Sequence, residues 1–319
     1  MASPILSLAE LAMHFPTPAG LVRAVDGVSI DIAPGETVGL VGESGCGKST
    51  LGKTSMRLTR PTAGSIRLEG HEISDLSRSA LRPWRSKLQM IFQDPYASLN
   101  PRLTVGRTLE EPLIVHGRGN AAERRDRVRW LADKVGLRPE ALQRHPHEFS
   151  GGQRQRIGIA RALALEPKLV ICDEPVSALD VSVRAQVINL LMDLKRDLGL
   201  AYLFISHDLS VVEHVSDRIA VMYLGKLVEI ADRHTLWTRP QHPYTQALIA
   251  AVPVADPSHA TDRRPGLVEG DLPSPLDPPS GCRFRTRCPI AVAQCAEREP
   301  PLRPLASGHF VACDRVAGT

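Results

Sequence analysis

A glycine-rich segment near the start of the chain has the residue types and spacing that hold a phosphate chain. Residues 42–50 have the sequence GESGCGKST, which matches the pattern G-x-x-x-x-G-K-[ST] and lies between an apolar run and a predicted helix. The glycines let backbone amides face phosphate oxygens, while Lys48 is predicted to bridge the β and γ phosphates of a nucleotide and Ser49 to bind Mg²⁺. The alternative is a turn that only caps a helix. The predicted binding residues are Gly42, Glu43, Ser44, Gly45, Cys46, Gly47, Lys48, Ser49 and Thr50.

Two adjacent carboxylates follow an apolar run later in the chain. Residues 169–174 have the sequence LVICDE, which predicts a buried strand that ends at the phosphate site of an α/β sheet. At such a strand end, Asp173 would hold Mg²⁺ through water and Glu174 would act as the general base on the attacking water. Taken alone, the segment is also compatible with a strand end that carries two solvated acids.

A serine and two glycines open a further predicted helix. Residues 149–154, FSGGQR, leave backbone amides and a hydroxyl free to face an anion, although alone they indicate only a capped helix start. Followed by Asp173 and Glu174, they form the signature of ABC transporter ATPases, which this chain resembles. The resemblance rests on residues 42–50, Gln93, Ser150, Gly151, Gly152, Gln153, Asp173, Glu174, residues 177–180 and His207.

The resemblance implies a head-to-tail dimer in which each ATP lies between the glycine-rich loop of one chain and residues 150–153 of its partner. In such a dimer Gln93 would sense Mg²⁺ and the attacking water and join the core to a helical subdomain. His207 would contact the γ-phosphate and orient Glu174, and Asp180 would pass the state of one site to the other. Without the other motifs, Gln93 would more commonly be interpreted as an ordinary strand-end glutamine and His207 as a surface or strand-end histidine.

Phe15 is the candidate for adenine binding. Adenine stacks on an aromatic ring upstream of the glycine-rich loop in the family that the chain resembles, and Phe15 is the only aromatic residue before Lys48. The alternative is a core phenylalanine on the first strand.

Two stretches narrow the resemblance to oligopeptide/dipeptide importers and related nickel importers. They are residues 94–105, DPYASLNPRLTV, and residues 241–253, QHPYTQALIAAVP. The implied partners are a second ATPase subunit, either a related chain or a second copy, two transmembrane permease subunits and, indirectly, an extracytoplasmic solute-binding protein. The implied location is the cytoplasmic face of the membrane. Dipeptides, longer peptides, nickel complexes and glutathione-like compounds all stay open as solutes, because the solute would not touch this chain.

These motifs require strands that alternate with helices. Strands are predicted at residues 22–32, 37–41, 65–68, 88–92, 169–172, 202–205 and 219–223, and helices at residues 48–58, 122–135, 153–165 and 183–198. The alternation predicts a mainly parallel sheet. With the resemblance, the expected fold class is α/β: a P-loop NTPase core of the ABC ATPase type with an inserted helical subdomain, an antiparallel β region and a Cys-rich C-terminal extension.

The expected domains follow shifts in composition along the chain. A nucleotide-binding domain is predicted over residues 1–255, with the helical subdomain at about 94–165, and an extension over residues 256–319. Residues 253–280 are rich in proline and lack apolar periodicity, which indicates a linker or an irregular wrapping segment.

Four cysteines near the C-terminus predict a metal site. Cys282, Cys288, Cys295 and Cys313 lack the paired C-x₂-C spacing of zinc knuckles. Four thiolates suffice for a [4Fe–4S] cluster, and the tail resembles the C-terminal cysteine region of peptide-importer ATPases, some of which carry one. Zinc and free or redox-linked thiols stay open. The interspersed arginines, Arg283, Arg285 and Arg287, either offset the cluster's charge or are solvated.

Composition narrows the class of function only a little. The net charge of +4 is compatible with nucleotide binding and too small to indicate a nucleic-acid partner. No apolar run approaches the roughly 20 residues that span a bilayer. Two competing classes are a soluble ABC ATPase acting on DNA or ribosomes, and a cysteine-rich regulatory module on an inactive ATPase. The single cassette argues against the first, and Glu174 with His207 argues against the second.

Overall fold

A computed structural model describes residues 3–252, 271–306 and 308–316. Its strands are β1 (Leu6–Thr17), β2 (Gly20–Ile32), β3 (Thr37–Val41), β4 (Ala63–Leu68), β5 (His71–Glu72), β6 (Leu88–Ile91), β7 (Leu169–Asp173), β8 (Ala201–Ile205), β9 (Arg218–Tyr223), β10 (Lys226–Asp232), β11 (Arg303–Ala306) and β12 (His309–Val311). Its α-helices are α1 (Lys48–Ser55), α2 (Arg78–Arg85), α3 (Val105–Val115), α4 (Ala121–Lys134), α5 (Gly151–Ala162), α6 (Val181–Leu198), α7 (Leu209–Val215), α8 (Arg233–Thr238) and α9 (Pro243–Ala250). Short 3₁₀ helices cover Pro139–Gln143, Pro146–Glu148 and Ala293–Ala296.

The described residues form two compact units. The first comprises residues 3–6, Ile32–Glu36 and Arg67–Phe204, and the second comprises Ser7–Asp31, Thr37–Ile66 and the described residues from Ile205 onward. In neither unit is a described helix both long enough and apolar enough to cross a membrane.

Parallel strands carry the carboxylates of the first unit. β6 and β7 pair in parallel from Leu88↔Leu169 to Ile91↔Cys172, and β8 lies on the other side of β7. Every residue of β7 is buried, as the apolar run at residues 169–172 predicts for a parallel strand covered on both faces. Asp173 therefore stands at the carboxyl end of a buried strand.

Helices occupy the middle of the first unit. Residues 94–165, all of them described, contain α3, α4, α5 and two 3₁₀ helices, and no strand. The three α-helices pack against one another and bury apolar side chains such as Leu109, Leu131 and Ile157 completely. Helices are thus found where the sequence predicts a helical insertion; whether they form a separate subdomain stays a prediction.

The strands of the second unit provide the base of the glycine-rich loop. They have the order β11–β12–β10–β9–β3, in which β9 runs parallel to β3 while β9, β10 and β12 pair antiparallel. A separate sheet contains β2, β1 and β4 in that order. Residues 42–47 connect β3 directly to α1, which gives the predicted strand, loop and helix.

Several helix boundaries differ from the predicted ones by one to three residues, and two of them have a local reason. α1 ends at Ser55 rather than at residue 58, and Arg57 adopts a left-handed φ of 55°, which cannot continue a helix. α5 begins at Gly151 rather than at residue 153, because the Ser150 side chain caps it.

Other predictions fail or lie outside the described residues. The set of predicted strands is incomplete: it lacks β10, since the buried Glu229 interrupts the apolar pattern of that strand. The predicted proline-rich linker and the domain boundary near residue 255 fall mostly within residues 253–270, outside the described residues.

Candidate functional site

The glycine-rich loop holds the ammonium group of Lys48 close to its own carbonyls. Lys48 Nζ lies 2.7 Å from Gly42 O and 2.9 Å from Glu43 O, and the residue is only 5% exposed. Lys48 is the first residue of α1, so it lies next to the free backbone amides at the start of that helix. A phosphate oxygen that reached these amides could replace the carbonyls as the partner of the ammonium group.

Two loop glycines are required by the backbone. Gly42 has a φ of 154°, and a Cβ atom there would lie 2.1 Å from Met222 O. Gly47 has a φ of 110°, and its Cβ would lie 2.0 Å from Ala24 O. Any side chain at either position would therefore collide with backbone, which explains the glycines that the motif demands.

Glu174 and Gln93 are brought together in the first unit. Gln93 Nε2 donates a hydrogen bond of 2.8 Å to Glu174 Oε2. Glu174 follows β7 with a left-handed φ of 45°, and its carbonyl accepts from Ser177 Oγ at 3.0 Å. Asp173, directly before it, is 3% exposed. The two carboxylates thus have different environments, one buried at the strand end and one bonded to an exposed glutamine.

The serine and glycines of residues 150–153 form a capped helix start. Ser150 Oγ accepts from Gln153 N at 3.4 Å, and Gln153 Oε1 accepts from Ser150 N at 3.1 Å, so the two exposed side chains cap each other's backbone. Gly152 is buried, and a Cβ there would lie 2.3 Å from Val183 Cγ1 of α6. Glycine is therefore needed for α5 to approach α6.

Asp180, His207 and Phe15 are exposed. Asp180 precedes α6 without a side-chain capping bond, and the next residue, Val181, is 79% exposed. His207 is exposed in the turn between β8 and α7. Phe15 is 36% exposed on β1, so the alternative of a core phenylalanine is wrong.

The predicted ATP residues divide between the two units. Gln93, Asp173, Glu174, Asp180 and residues 150–153 belong to the first unit, which brings Gln93 and Glu174 into contact. The glycine-rich loop, with Phe15 and His207, belongs to the second unit.

Two side chains that hold Glu43 were not predicted from the sequence. The Tyr244 hydroxyl accepts from Glu43 N at 2.8 Å, and Arg287 forms an ion pair with the Glu43 carboxylate at 2.8 Å. Arg287 is separated from Glu43 by 244 positions, so no local pattern could have indicated the pair.

The four tail cysteines line one cavity in the second unit without forming a disulfide. Cys282, Cys288, Cys295 and Cys313 share its wall with Phe284, and all four are free. Burial raises the pKa of Cys282 to about 11 and that of Cys288 above its ordinary value. Among the described residues, no group of three or more His, Cys, Asp or Glu side chains is arranged to hold a metal ion. The arrangement therefore gives no support to the predicted cluster beyond the shared cavity.

Comparison with known proteins assigns the family. A family model described as "ABC transporter" matches residues 25–177, and one described as "Oligopeptide/dipeptide transporter, C-terminal region" matches residues 228–295. The oligopeptide transport ATP-binding protein AppF of Bacillus subtilis is 53% identical over 317 residues, which cover 97% of this chain and 96% of AppF. This chain belongs to the ABC transporter ATPases. A Brucella ovis protein provisionally named a peptide import ATP-binding protein is 54% identical to this ABC ATPase over 98% of each chain.

Solved structures confirm the fold class of this ABC ATPase. The ATP-binding cassette MJ0796, in a dimeric post-hydrolysis state with ADP and Pi, superimposes with a TM-score of 0.66 at 30% identity, over 72% of this chain and 98% of its own. CbiO1 of Clostridium perfringens, part of the transporter complex cbiONQ, gives a TM-score of 0.66 at 27% identity, over 74% of this chain and 92% of CbiO1. The predicted P-loop core of the ABC type is thus confirmed; the Cys-rich extension as a separate region stays a prediction.

Proposed function

We propose that this ABC ATPase hydrolyses ATP to energise the import of peptides or similar small solutes. The observation that carries the proposal is the identity of 53–54%, over nearly the full length, to proteins named for peptide transport or import. A soluble ABC ATPase acting on nucleic acid or ribosomes is not favoured, since these relatives are transporter subunits by name.

The ATP chemistry is assigned to the residues of the family motifs. Lys48 pairs with the β and γ phosphates, and Glu174 takes the proton of the attacking water while Gln93 holds its carboxylate. His207 contacts the γ-phosphate and orients Glu174. Phe15, exposed on β1, stacks on adenine.

The donors of the predicted Mg²⁺ site are Ser49, Gln93 and Asp173. They offer hydroxyl, amide and carboxylate oxygens, which are the ligands that Mg²⁺ prefers, and Asp173 is buried at the end of β7. Bound Mg²⁺ supplies positive charge against the phosphates.

Glu174→Gln tests the catalytic assignment. The amide keeps an oxygen that can accept from Gln93 but cannot act as a base, so steady-state ATPase activity should fall by about 10²-fold or more while ATP affinity stays within about twofold. Glu166→Gln is the matched control, since Glu166 also has a left-handed φ, 56°, and its side chain is 76% exposed. Near-normal turnover in Glu174→Gln would remove the assignment of Glu174 as the base.

The proposed partners follow from the transporter family. They are a second ATPase subunit, either a related chain or a second copy, two transmembrane permease subunits and, indirectly, an extracytoplasmic solute-binding protein. In the ATPase dimer, residues 150–153 and Asp180 act on the partner's ATP. The chain would then be peripheral to the cytoplasmic face of the membrane, divided into the domains expected at residues 1–255 and 256–319.

A [4Fe–4S] cluster held by Cys282, Cys288, Cys295 and Cys313 is proposed as a structural element of the tail. The shared cavity supports it, while the present arrangement of the thiols does not show ligation. Anaerobic purification with iron and sulfide analysis and a visible spectrum tests the proposal. Stoichiometric zinc in colourless protein would replace the cluster with a zinc site, and protein with neither metal would leave free thiols.

A further inference from the structure

Arg287, in the cysteine tail, forms an ion pair with the side chain of Glu43 in the glycine-rich loop. Arg287 Nη1 lies 2.8 Å from Glu43 Oε2, and Arg287 Nη2 lies 3.0 Å from Glu43 Oε1, which is the two-point geometry that fixes both groups. The Arg287 side chain is 7% exposed and that of Glu43 is 28% exposed, so solvent and salt screen the pair little. Burial lowers the pKa of Arg287, but the bonds to Glu43 and Tyr223 more than offset it, and the guanidinium stays charged.

Glu43 is held at three points, and one of them is the phosphate-binding lysine. Besides the Arg287 bonds, its N–H donates to the Tyr244 hydroxyl at 2.8 Å and its carbonyl accepts from Lys48 Nζ at 2.9 Å. A shift of Glu43 would therefore change the path of the loop and the position of the Lys48 ammonium group.

The segment that carries Arg287 is itself firmly packed within the second unit. Phe284 is 1% exposed, and its ring centroid lies 5.2 Å from that of Tyr223 and 5.4 Å from that of Tyr244. Arg283 is 7% exposed, pairs with Asp26 and donates to a backbone carbonyl. Arg287 is thus presented to the loop from a fixed support.

We propose that Arg287 is a positioning residue of the ATP site, through which the cysteine tail sets the conformation of the glycine-rich loop and its affinity for nucleotide. The proposal rests on the proposed function, since it requires that the loop binds ATP. The next residue, Cys288, lines the tail cavity, so the Arg287–Glu43 pair connects that cavity with the loop.

A double-mutant cycle on the full chain tests the coupling. The probe is a fluorescent ATP analogue with Mg²⁺, titrated against wild type, Arg287→Ala, Glu43→Gln and the double variant. Each single variant should weaken binding by about fivefold or more, and the double variant should be no weaker than the worse single, because both changes remove one interaction. Arg287→Lys keeps the positive charge but cannot bind the carboxylate through two nitrogens. Its affinity for the ATP analogue should therefore lie between those of Arg287→Ala and wild type.

Arg298→Ala is the matched control, since the Arg298 side chain is 72% exposed and pairs with Asp314 inside the tail. It should bind like wild type. The coupling would be overturned if the losses of binding free energy in the two single variants added up in the double variant. It would also be overturned if Arg287→Ala bound the ATP analogue as tightly as wild type. If Arg287→Ala does not fold, as judged by circular dichroism, Glu43→Gln and Arg287→Lys are titrated instead. Weaker binding than wild type in both supports the proposal, and wild-type affinity in either overturns it. Lys48→Ala distinguishes the proposed ATP site from the proposed role of Arg287. If Lys48→Ala loses ATP binding while Arg287→Ala binds normally, only the role of Arg287 is overturned. If Lys48→Ala binds ATP normally, the assignment of the loop as the ATP site is itself wrong.

Discussion

Glu174 combines an unfavourable backbone conformation with a defined side-chain contact. A φ of 45° at a residue with a side chain costs of the order of 1–3 kcal/mol and persists only where the surroundings impose it. Here the buried end of β7 precedes Glu174, and Gln93 binds its carboxylate at 2.8 Å. The strain therefore lies at the residue assigned as the base, whose side chain has to be held in one direction.

Replacing Phe15 by alanine should weaken nucleotide binding. The ring is 36% exposed, so the substitution removes a surface for a base without opening a core cavity. Stacking of a base on an aromatic ring contributes about 1–3 kcal/mol in nucleic-acid complexes, so affinity for a fluorescent ATP analogue should fall by at least about fivefold. The titration is done with Mg²⁺ on the purified full chain.

Phe310→Ala provides the control for that measurement. Phe310 is 37% exposed on β12, so the two substitutions remove the same ring at nearly the same exposure. Affinity should be unchanged in Phe310→Ala and reduced in Phe15→Ala. Equal affinities in both variants would leave Phe15 without a role in adenine binding.

At the residue scale, the sequence predicts what depends on short spacing. Gly42 and Gly47 follow from the loop motif, and the structure supplies the collisions that explain them. For Arg287 the sequence indicates only a charge-balancing or solvated arginine, because its partner Glu43 is 244 positions away. Such a contact is created by tertiary packing, which no local pattern records.

The start of α9 is an element whose stability depends on a neutral histidine. His242 Nδ1 accepts from Tyr244 N at 3.1 Å and caps the helix, while His242 N–H donates to the buried Glu229 at 2.8 Å. The ring packs 5.6 Å from Phe284, and burial lowers the pKa of His242 to about 3. Protonation would remove the cap acceptor and place a charge in an apolar environment.

This burial predicts a loss of stability in mild acid. An unfolded histidine binds a proton near pH 6.5 and the folded His242 only near 3, so its contribution is complete above about pH 6.5 and is lost as the pH falls through that window. The free energy of unfolding, measured by urea titration at pH 6 and pH 5, should fall by about 1.4 kcal/mol per pH unit from this residue. His242→Asn retains a capping side chain and should remove that part of the slope.

His234→Asn is the control, because it replaces an exposed histidine of α8. Its pH slope should equal that of wild type. A wild-type slope in His242→Asn would show that protonation of His242 does not destabilise the fold.

At the element scale, continuous apolar runs predicted β3, β7, β8 and β9 to within one or two residues. β10 is not predicted because it contains Glu229. The buried carboxylate of Glu229 accepts hydrogen bonds from Gln241, His242 and His309. Two of these donors come from the α9 start and one from β12. A strand that depends on distant donors has no apolar signature of its own.

For the whole molecule, the proposed head-to-tail dimer would give a role to the exposed surface near residues 150–153. Ser150 and Gln153 cap each other and stay exposed, and Asp180 is exposed beside Val181, an apolar residue with 79% of its surface accessible. A head-to-tail dimer would use these groups on the ATP of the other chain.

Ser150→Arg should therefore damage the site of the partner and not that of its own chain. Two differently tagged copies can be co-purified as mixed dimers and labelled with a photoreactive ATP analogue. In a dimer of Ser150→Arg with Lys48→Ala, the loop of the first chain and the serine of the second are both intact, so one site should label normally. In a dimer of wild type with the Ser150→Arg/Lys48→Ala double variant, each site carries one defect.

The two mixed dimers thus give opposite results for the two arrangements. If residues 150–153 act across the dimer, the first pair labels one site and the second pair labels neither. If they act within their own chain, the first pair labels neither and the second pair labels one. Ser79→Arg, an exposed serine of α2, replaces Ser150→Arg in the control and should leave labelling to follow Lys48→Ala alone. Strong labelling of the second pair with weak labelling of the first would exclude the head-to-tail dimer, because added bulk at Ser150 would then have acted on its own loop.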